Sequence, residues 1–111
     1  MVQRPVIELL WWAGCPSYDD ALADLRAALS ELGAASEAVV SRELRTDDEA
    51  DTERFAGSPT IRVDGRDLFP LHDEPTGLTC RVYRLRDGRI SPTPDPDDLR
   101  AALRAALEAP A

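Results

Sequence analysis

The sequence has no apolar run long enough to cross a membrane and no recognisable export signal. Its main apolar run, from Pro5 to Trp12, is interrupted by Glu8, whereas a membrane span needs about 20 apolar residues. The amino-terminal Met-Val-Gln-Arg-Pro lacks the apolar stretch and small-residue cleavage site of a signal peptide. These absences predict a cytoplasmic protein without a membrane partner, in which cysteines rest as thiols and any bridge between them is transient.

Basic charge is also scarce. Thirteen Lys and Arg residues stand against twenty-one Asp and Glu residues, which gives a formal net charge of −8. Such a chain repels phosphate backbones and anionic lipid surfaces. Its arginines are scattered and not gathered with aromatic residues, so no local basic platform opposes this conclusion. Nucleic acid is therefore excluded as an expected partner.

The sequence lacks most of the motifs that carry enzyme chemistry. It has no Gly-x-Ser-x-Gly, no phosphate loop and no glycine-spaced calcium loop. Its single histidine, His72, and its two cysteines, Cys15 and Cys80, follow no metal-ligand spacing. We therefore expect no metal and no cofactor, and a soft-metal site formed by these three residues is a minor alternative.

The 111 residues, 43% hydrophobic and 31% charged, predict one α/β domain over residues 1–111. The apolar run 5–12 is typical of a strand buried on both faces. From Pro16 to Leu32, leucines at spacings of three and four predict a helix that Gly33 ends. A second strand at 38–40 then implies a parallel pair with the first.

The middle of the chain predicts a short helix and a hairpin. Thr46 with Glu49 has the form of a capping box that opens an exposed acidic helix, with Phe55 as its main anchor. Strands at 61–63 and 67–69 flank the turn dipeptide Asp64-Gly65.

The last third is less regular. Residues 70–79 predict a loop, and Cys80 to Leu85 fit either a strand or a helical turn over the sheet. A turn at 86–89 follows, and leucines 99, 103 and 107 predict a closing amphipathic helix over 97–107.

Cys15 lies where the first strand gives way to the first helix. A thiol there faces unpaired backbone N–H groups and the positive end of the helix dipole, which favour the thiolate. Pro16 suits the first helical position, where its missing N–H costs nothing. The alternative is that Cys15 is a small buried hydrophobe. Glu8 is either a carboxylate at a strand end or edge, or a buried proton acceptor behind Cys15.

Two separated motifs resemble the thioredoxin-like superfamily. Trp12-Ala13-Gly14-Cys15-Pro16-Ser17-Tyr18 is similar to its Trp-x-x-Cys-x-x-Cys redox site, and Ser58-Pro59-Thr60 is similar to the cis-proline segment that faces that site. The resemblance implies a thioredoxin-like fold, with a central mixed sheet of about four strands flanked by three helices. It also implies a cis peptide bond before Pro59, which is uncommon in general.

The chain departs from the family's pattern at Tyr18, which stands where the second, resolving cysteine is expected. Cys80 can take that role only if its segment folds back beside Pro59, because a bridge needs Cα atoms within roughly 7 Å. A core position for Cys80 is the favoured alternative. The stretch Gly77–Tyr83 also resembles the end of small thioredoxin-like proteins associated with alkylmercury lyases.

These observations predict a thiol-disulfide or thiol-adduct protein in which Cys15 attacks and Cys80 resolves. Trp12 shields the site, Trp11 packs in the core, and the Pro59 backbone aligns the partner, a thiol- or disulfide-containing protein or a small thiol. Tyr18 hydrogen-bonds near Cys15 or packs beside Leu22. The predicted substrate-binding residues are Trp12, Pro16, Tyr18, Ser58, Pro59 and Thr60. Two alternatives stay open: a non-redox interaction module, and soft-metal or organomercurial binding through the two cysteines.

Overall fold

Three helices and six strands lie in residues 4–108, the part of the chain that the computed structural model describes. Residues 1–3 and 109–111 of the predicted single domain lie outside the described residues. In chain order the elements are β1 (Ile7–Trp11), α1 (Tyr18–Glu31), β2 (Val39–Glu43), α2 (Asp47–Thr52), β3 (Thr60–Val63), β4 (Arg66–Asp67), β5 (Tyr83–Arg84), β6 (Ile90–Ser91) and α3 (Pro96–Glu108).

The first four strands form a mixed sheet in the order β2-β1-β3-β4. β1 runs parallel to β2, with Leu9 opposite Ser41, and antiparallel to β3, with Leu9 opposite Ile61. β3 and β4 form the hairpin around Asp64-Gly65. The predicted mixed sheet of about four strands, the internal position of the first strand and the parallel pair are confirmed.

One face of the sheet carries the main core. Ile7 and Leu9 of β1 pack there with the buried stripes of α1 and α3, including Leu25 and Leu103. The leucines that predicted α1 and α3 all belong to this core or pack against it. Burying side chains of this size contributes roughly 1.5–3 kcal/mol each. The first and last helices therefore cover one face of β1 and β3.

The other face carries a smaller core under α2. Leu10 and Phe55 are completely buried in it, so the predicted anchoring role of Phe55 is confirmed. The cap is also as predicted, because the Thr46 hydroxyl accepts from the Glu49 N–H at 3.0 Å. α2 ends at Thr52, and Phe55 anchors the chain beyond the helix.

Glu8 takes part in an ion-pair cluster on the sheet. Its carboxylate lies 2.9 Å from Arg42 of β2, and Arg42 also contacts Glu53 at 2.9 Å. Arg62 of β3 pairs with the same Glu53 at 3.1 Å. Glu8 therefore lies next to the start of a central strand and pairs with an arginine, which corrects its expected position at a sheet edge.

The structure corrects the predicted start of α1 and decides between the two alternatives for residues 80–85. α1 begins at Tyr18 with Ser17 as its N-cap, so Pro16 precedes the helix and does not occupy its first position. Only residues 83–84 of the segment 80–85 form a regular strand, β5, which pairs with β6 across the predicted turn at 86–89. The prediction of this segment left strand and helical turn open, and β6 was not predicted.

Among residues 4–108, no helix combines the length and the apolar character that a membrane crossing requires.

Candidate functional site

Cys15 and Cys80 are joined by a disulfide, although they are 65 residues apart in the sequence. Their Cα atoms are separated by 5.5 Å, which is within the range that a bridge requires. The chain therefore does fold back so that the two sulfurs meet. The structure differs here from the expectation that both cysteines rest as thiols.

Cys15 is held in a turn between β1 and α1. Its N–H donates to the Trp12 carbonyl at 3.1 Å, and the residue is only 4% exposed. Its sulfur lies 3.6 Å from the Ser17 hydroxyl oxygen and 3.7 Å from the Ser58 carbonyl oxygen. Because a disulfide sulfur has no proton, Ser17 is the donor in the first contact. The Ser58 carbonyl becomes an acceptor for Cys15 only when a thiol proton is present.

Ser17 was not predicted as a site residue. It is the N-cap of α1, where a serine side chain usually accepts from a backbone N–H, but its hydroxyl makes no such cap. The residue is buried, and its hydroxyl meets the Cys15 sulfur. A serine just before a helix is the only sequence signal, and capping explains that signal equally well.

Cys80 is exposed, so the expectation that it belongs to the core is wrong. Side chains of an extended segment alternate between two sides, and here Arg81 and Tyr83 are the buried ones while Val82 is exposed. Cys80 therefore takes an outward position because its neighbours fill the inward ones. The bridge thus joins a buried residue, Cys15, to an exposed residue, Cys80.

Backbone hydrogen bonds hold the Cys80 segment beside Ser58. The Ser58 N–H donates to the Thr79 carbonyl at 2.8 Å, and the Arg81 N–H donates to the Ser58 carbonyl at 2.9 Å. Gly57 makes this approach possible, because a Cβ on it would lie 2.8 Å from the Arg81 backbone nitrogen, and its φ of +142° also favours glycine. The segment is therefore placed by backbone contacts on both sides of Cys80.

The Arg81 side chain adds a second attachment. It is buried and forms an ion pair with Asp67 at 2.8 Å. It also donates to the Thr60 hydroxyl at 3.3 Å and to the Phe69 carbonyl. Removal of a buried guanidinium with this set of acceptors strongly lowers the free energy of unfolding, because it leaves a desolvated carboxylate unpaired.

Tyr83 forms the third attachment. Its hydroxyl donates to the Pro59 carbonyl at 2.5 Å, and the Arg81 guanidinium lies 4.8 Å from the centre of its ring. Burial raises the pKa of Tyr83 well above its ordinary value, with the neighbouring Arg81 opposing this shift. The phenol therefore stays protonated and available as a donor at neutral pH.

The peptide bond before Pro59 is cis, as the resemblance implied. The backbone of this segment makes hydrogen bonds within the chain, and its alignment of a partner stays a prediction. The Pro59 carbonyl accepts from Tyr83, and both backbone groups of Ser58 bind the Cys80 segment. These groups are already used within the chain. Thr60 is buried and donates to the Gly57 carbonyl at 2.7 Å, so it supports the turn before β3.

Of the remaining predicted residues, Trp12 lies three positions before Cys15 in the sequence. It is half-buried and packs against the core under α2. Its indole also lies over Gly14, where an added Cβ would meet ring atoms at 2.3 Å. Trp12 therefore covers the residue before Cys15. Pro16 is exposed at the site rim, and the buried Ser58 hydroxyl has no hydrogen-bond partner within residues 4–108.

Tyr18 makes its contacts with Trp11 and Ser41, and not with the two cysteines. Its ring lies 4.6 Å from that of Trp11, and the Tyr18 hydroxyl and Trp11 indole N–H both bond the Ser41 hydroxyl, at 3.0 and 2.9 Å. Trp11 is half-buried in this cluster and not in the core. Tyr18 therefore packs against Trp11, which was not predicted, and against the main core, while its contact with Leu22 stays a prediction.

His72 does not join the two cysteines. Within the described part of the chain, no group of three or more His, Cys, Asp or Glu residues is placed to hold a metal ion. His72 lies in the exposed loop 70–76, where its backbone N–H donates to the Glu74 carboxylate at 2.9 Å. The hypothetical three-residue soft-metal site is therefore not formed.

Comparison with protein-family models, with curated proteins and with solved structures finds no match to this chain.

Proposed function

We propose that this chain is a thioredoxin-like thiol-disulfide exchange protein whose redox pair is Cys15 and Cys80. The observation that carries the proposal is the way the bridge is held. One cysteine precedes the 14-residue helix α1, and the other lies beside the cis-proline segment 58–60. The order of the elements around the mixed sheet supports the thioredoxin-like interpretation of the fold.

The contacts that place Cys80 do not depend on its sulfur. Backbone bonds to Ser58, the ion pair of Arg81 with Asp67, and the bond from Tyr83 to Pro59 all involve other atoms. Cleavage of the bridge would therefore leave two thiols close together in a folded protein. Such a pair can be reoxidised without a search through conformations, which is what a reversible exchange site needs.

The reaction is a two-electron exchange with a partner dithiol. The partner's two thiols become a disulfide, while the Cys15–Cys80 bond accepts two electrons and two protons and becomes two thiols. One member of the disulfide, Cys80, is an exposed residue, and access to a sulfur is one of the factors that set the rate of exchange. The proposed partners are accordingly thiol- or disulfide-containing proteins or small thiols.

The reduction potential of the bridge tests this function. The folded protein is equilibrated with glutathione and dithiothreitol redox buffers of known potential, quenched with acid, alkylated and weighed by mass spectrometry. We expect a potential between about −300 and −120 mV, the range of exchange proteins. A variant with both cysteines replaced by serine controls for alkylation elsewhere. A potential below about −300 mV would identify a structural disulfide and favour the interaction-module alternative.

A further inference from the structure

We infer that Cys80, and not Cys15, is the sulfur that exchanges with the partner, and that Cys15 is the internal thiol that leaves and returns. This inference rests on the proposed function and reverses the roles that the sequence predicted. Its basis is the difference in exposure between the two bridged residues, with Cys15 only 4% exposed and Cys80 exposed.

Access decides which sulfur is attacked. An incoming thiolate must reach the target sulfur from the side opposite the sulfur that leaves. Around Cys15, the Ser17 hydroxyl and the Ser58 carbonyl already lie 3.6 and 3.7 Å from the sulfur, inside a buried turn. Cys80 lies in the outward position of an extended segment, next to the exposed Val82. Attack at Cys80 therefore needs no opening of the turn.

The surroundings of Cys15 suit a leaving sulfur. When a partner thiolate bonds to the Cys80 sulfur, the Cys15–Cys80 bond breaks and its electron pair goes to Cys15. The Ser17 hydroxyl donates to that sulfur, and the N-terminus of α1 favours its negative charge. Once protonated by water, the Cys15 thiol can donate to the Ser58 carbonyl. A second thiolate of the partner then displaces Cys80 and completes the partner's disulfide.

The same geometry governs the reverse direction. The Cys80 thiolate attacks a partner disulfide, forms a mixed disulfide and releases one partner thiolate. Cys15 then attacks the Cys80 sulfur, re-forms the internal bridge and releases the second partner thiolate. In both directions the mixed disulfide is on Cys80, and Ser17 acts as a positioning residue for the Cys15 sulfur.

Single-cysteine variants test the assignment with oxidised glutathione as the probe. Cys15→Ser retains the Cys80 thiol, and Cys80→Ser retains the Cys15 thiol. Rates of adduct formation are measured by mass spectrometry across pH. Each rate constant is divided by the ionised fraction of its thiol before the two variants are compared. We expect Cys15→Ser to react at least about tenfold faster when folded. In urea the two rates should become similar, because the difference in access is lost.

Equal rates in the folded variants, or a faster Cys80→Ser variant, would overturn the inference. If circular dichroism shows that either variant has lost its fold, the reduced parent protein replaces it. The parent is treated with less than one equivalent of iodoacetamide, and the modified cysteine is located. Label mostly on Cys80 supports the assignment, and label mostly on Cys15 overturns it. The reduction potential is measured separately, so exchange through Cys15 would refute this inference and leave the proposed function standing.

The variant Ser17→Ala tests whether the Ser17 hydroxyl stabilises Cys15 as the leaving sulfur. Because the Ser17 side chain does not cap α1, its removal should leave the urea midpoint close to that of the parent. Reduction of the oxidised variant by glutathione should nevertheless slow about tenfold, since a hydrogen bond to a developing charge is lost. Ser30→Ala, at an exposed position of the same helix, is the control. Unchanged reduction of Ser17→Ala would remove Ser17 from the mechanism.

Discussion

The two cysteines of the bridge are held in different ways. Cys15 is placed by its immediate neighbours, because a strand ends at Trp11 and a helix begins at Tyr18. Cys80 is placed by contacts with residues at least twelve positions away, including Ser58, Asp67 and Pro59. The first arrangement depends on local sequence and the second on the packed fold. Substitutions around Cys80 should therefore cost more stability than substitutions around Cys15.

The largest expected effect is that of Arg81→Ala. Its removal leaves Asp67 without its ion-pair partner and takes a donor from Thr60, which should lower the free energy of unfolding by about 3 kcal/mol. Urea titration of the oxidised and reduced proteins measures this loss. The same variant should re-form the Cys15–Cys80 bridge more slowly, because the Cys80 segment is less well held.

Arg84→Ala is the matched control for that experiment. Arg84 follows in the same segment, but it is exposed, and within the described chain its side chain bonds only to the Gly88 carbonyl, at 2.9 Å. A surface change of this kind usually alters stability by less than about 0.5 kcal/mol. Similar losses for Arg81→Ala and Arg84→Ala would refute the anchoring role of Arg81.

A smaller effect is expected from Tyr83→Phe. The phenylalanine keeps the ring packing but removes the donor to the Pro59 carbonyl, so a loss of about 1–2 kcal/mol is expected. Tyr18→Phe removes a hydroxyl of similar kind near Cys15, where the bond to Ser41 is exposed, and should cost less. Thermal and urea unfolding of both variants rank the two sites. A larger loss for Tyr18→Phe would reverse the comparison between the regions.

The sequence predicted the Cys15 region well because its information is local. The end of an apolar run, the leucine spacing of α1 and the capping box of α2 each specify structure within a few residues. The same holds for the Asp64-Gly65 hairpin and for α3. Even there the boundary was displaced, since α1 begins two residues after Pro16 and its N-cap serine contacts a sulfur and not the backbone.

The Cys80 region was poorly predicted because nothing local specifies it. Residues 80–85 are too few to distinguish strand from helix by periodicity. The tendency of cysteine to be buried pointed Cys80 into the core, but a buried arginine and a buried tyrosine fill the inward positions of the segment. Burial of Arg81 needs Asp67 and the Phe69 carbonyl as partners, and only the folded chain brings these together.

The smallest expected effect lies in the ion-pair cluster of the sheet, which is bonded to neither cysteine. Hydrogen bonds from Arg42, followed by those from Arg62, outweigh burial and hold the pKa of Glu53 below its ordinary value. The Glu53 carboxylate therefore adds stability that is complete above its unfolded pKa, near 4.5, and is lost as the pH falls through the lower folded value.

Glu53→Gln should lower the free energy of unfolding at pH 7 by at most about 1 kcal/mol. Urea titrations from pH 7 to pH 3 should show this difference shrinking with acid, while the potential of the Cys15–Cys80 bridge at pH 7 stays at the parent value. A shifted potential would mean that the sheet cluster also positions the cysteines, and the division into a local and a packed region would then be wrong.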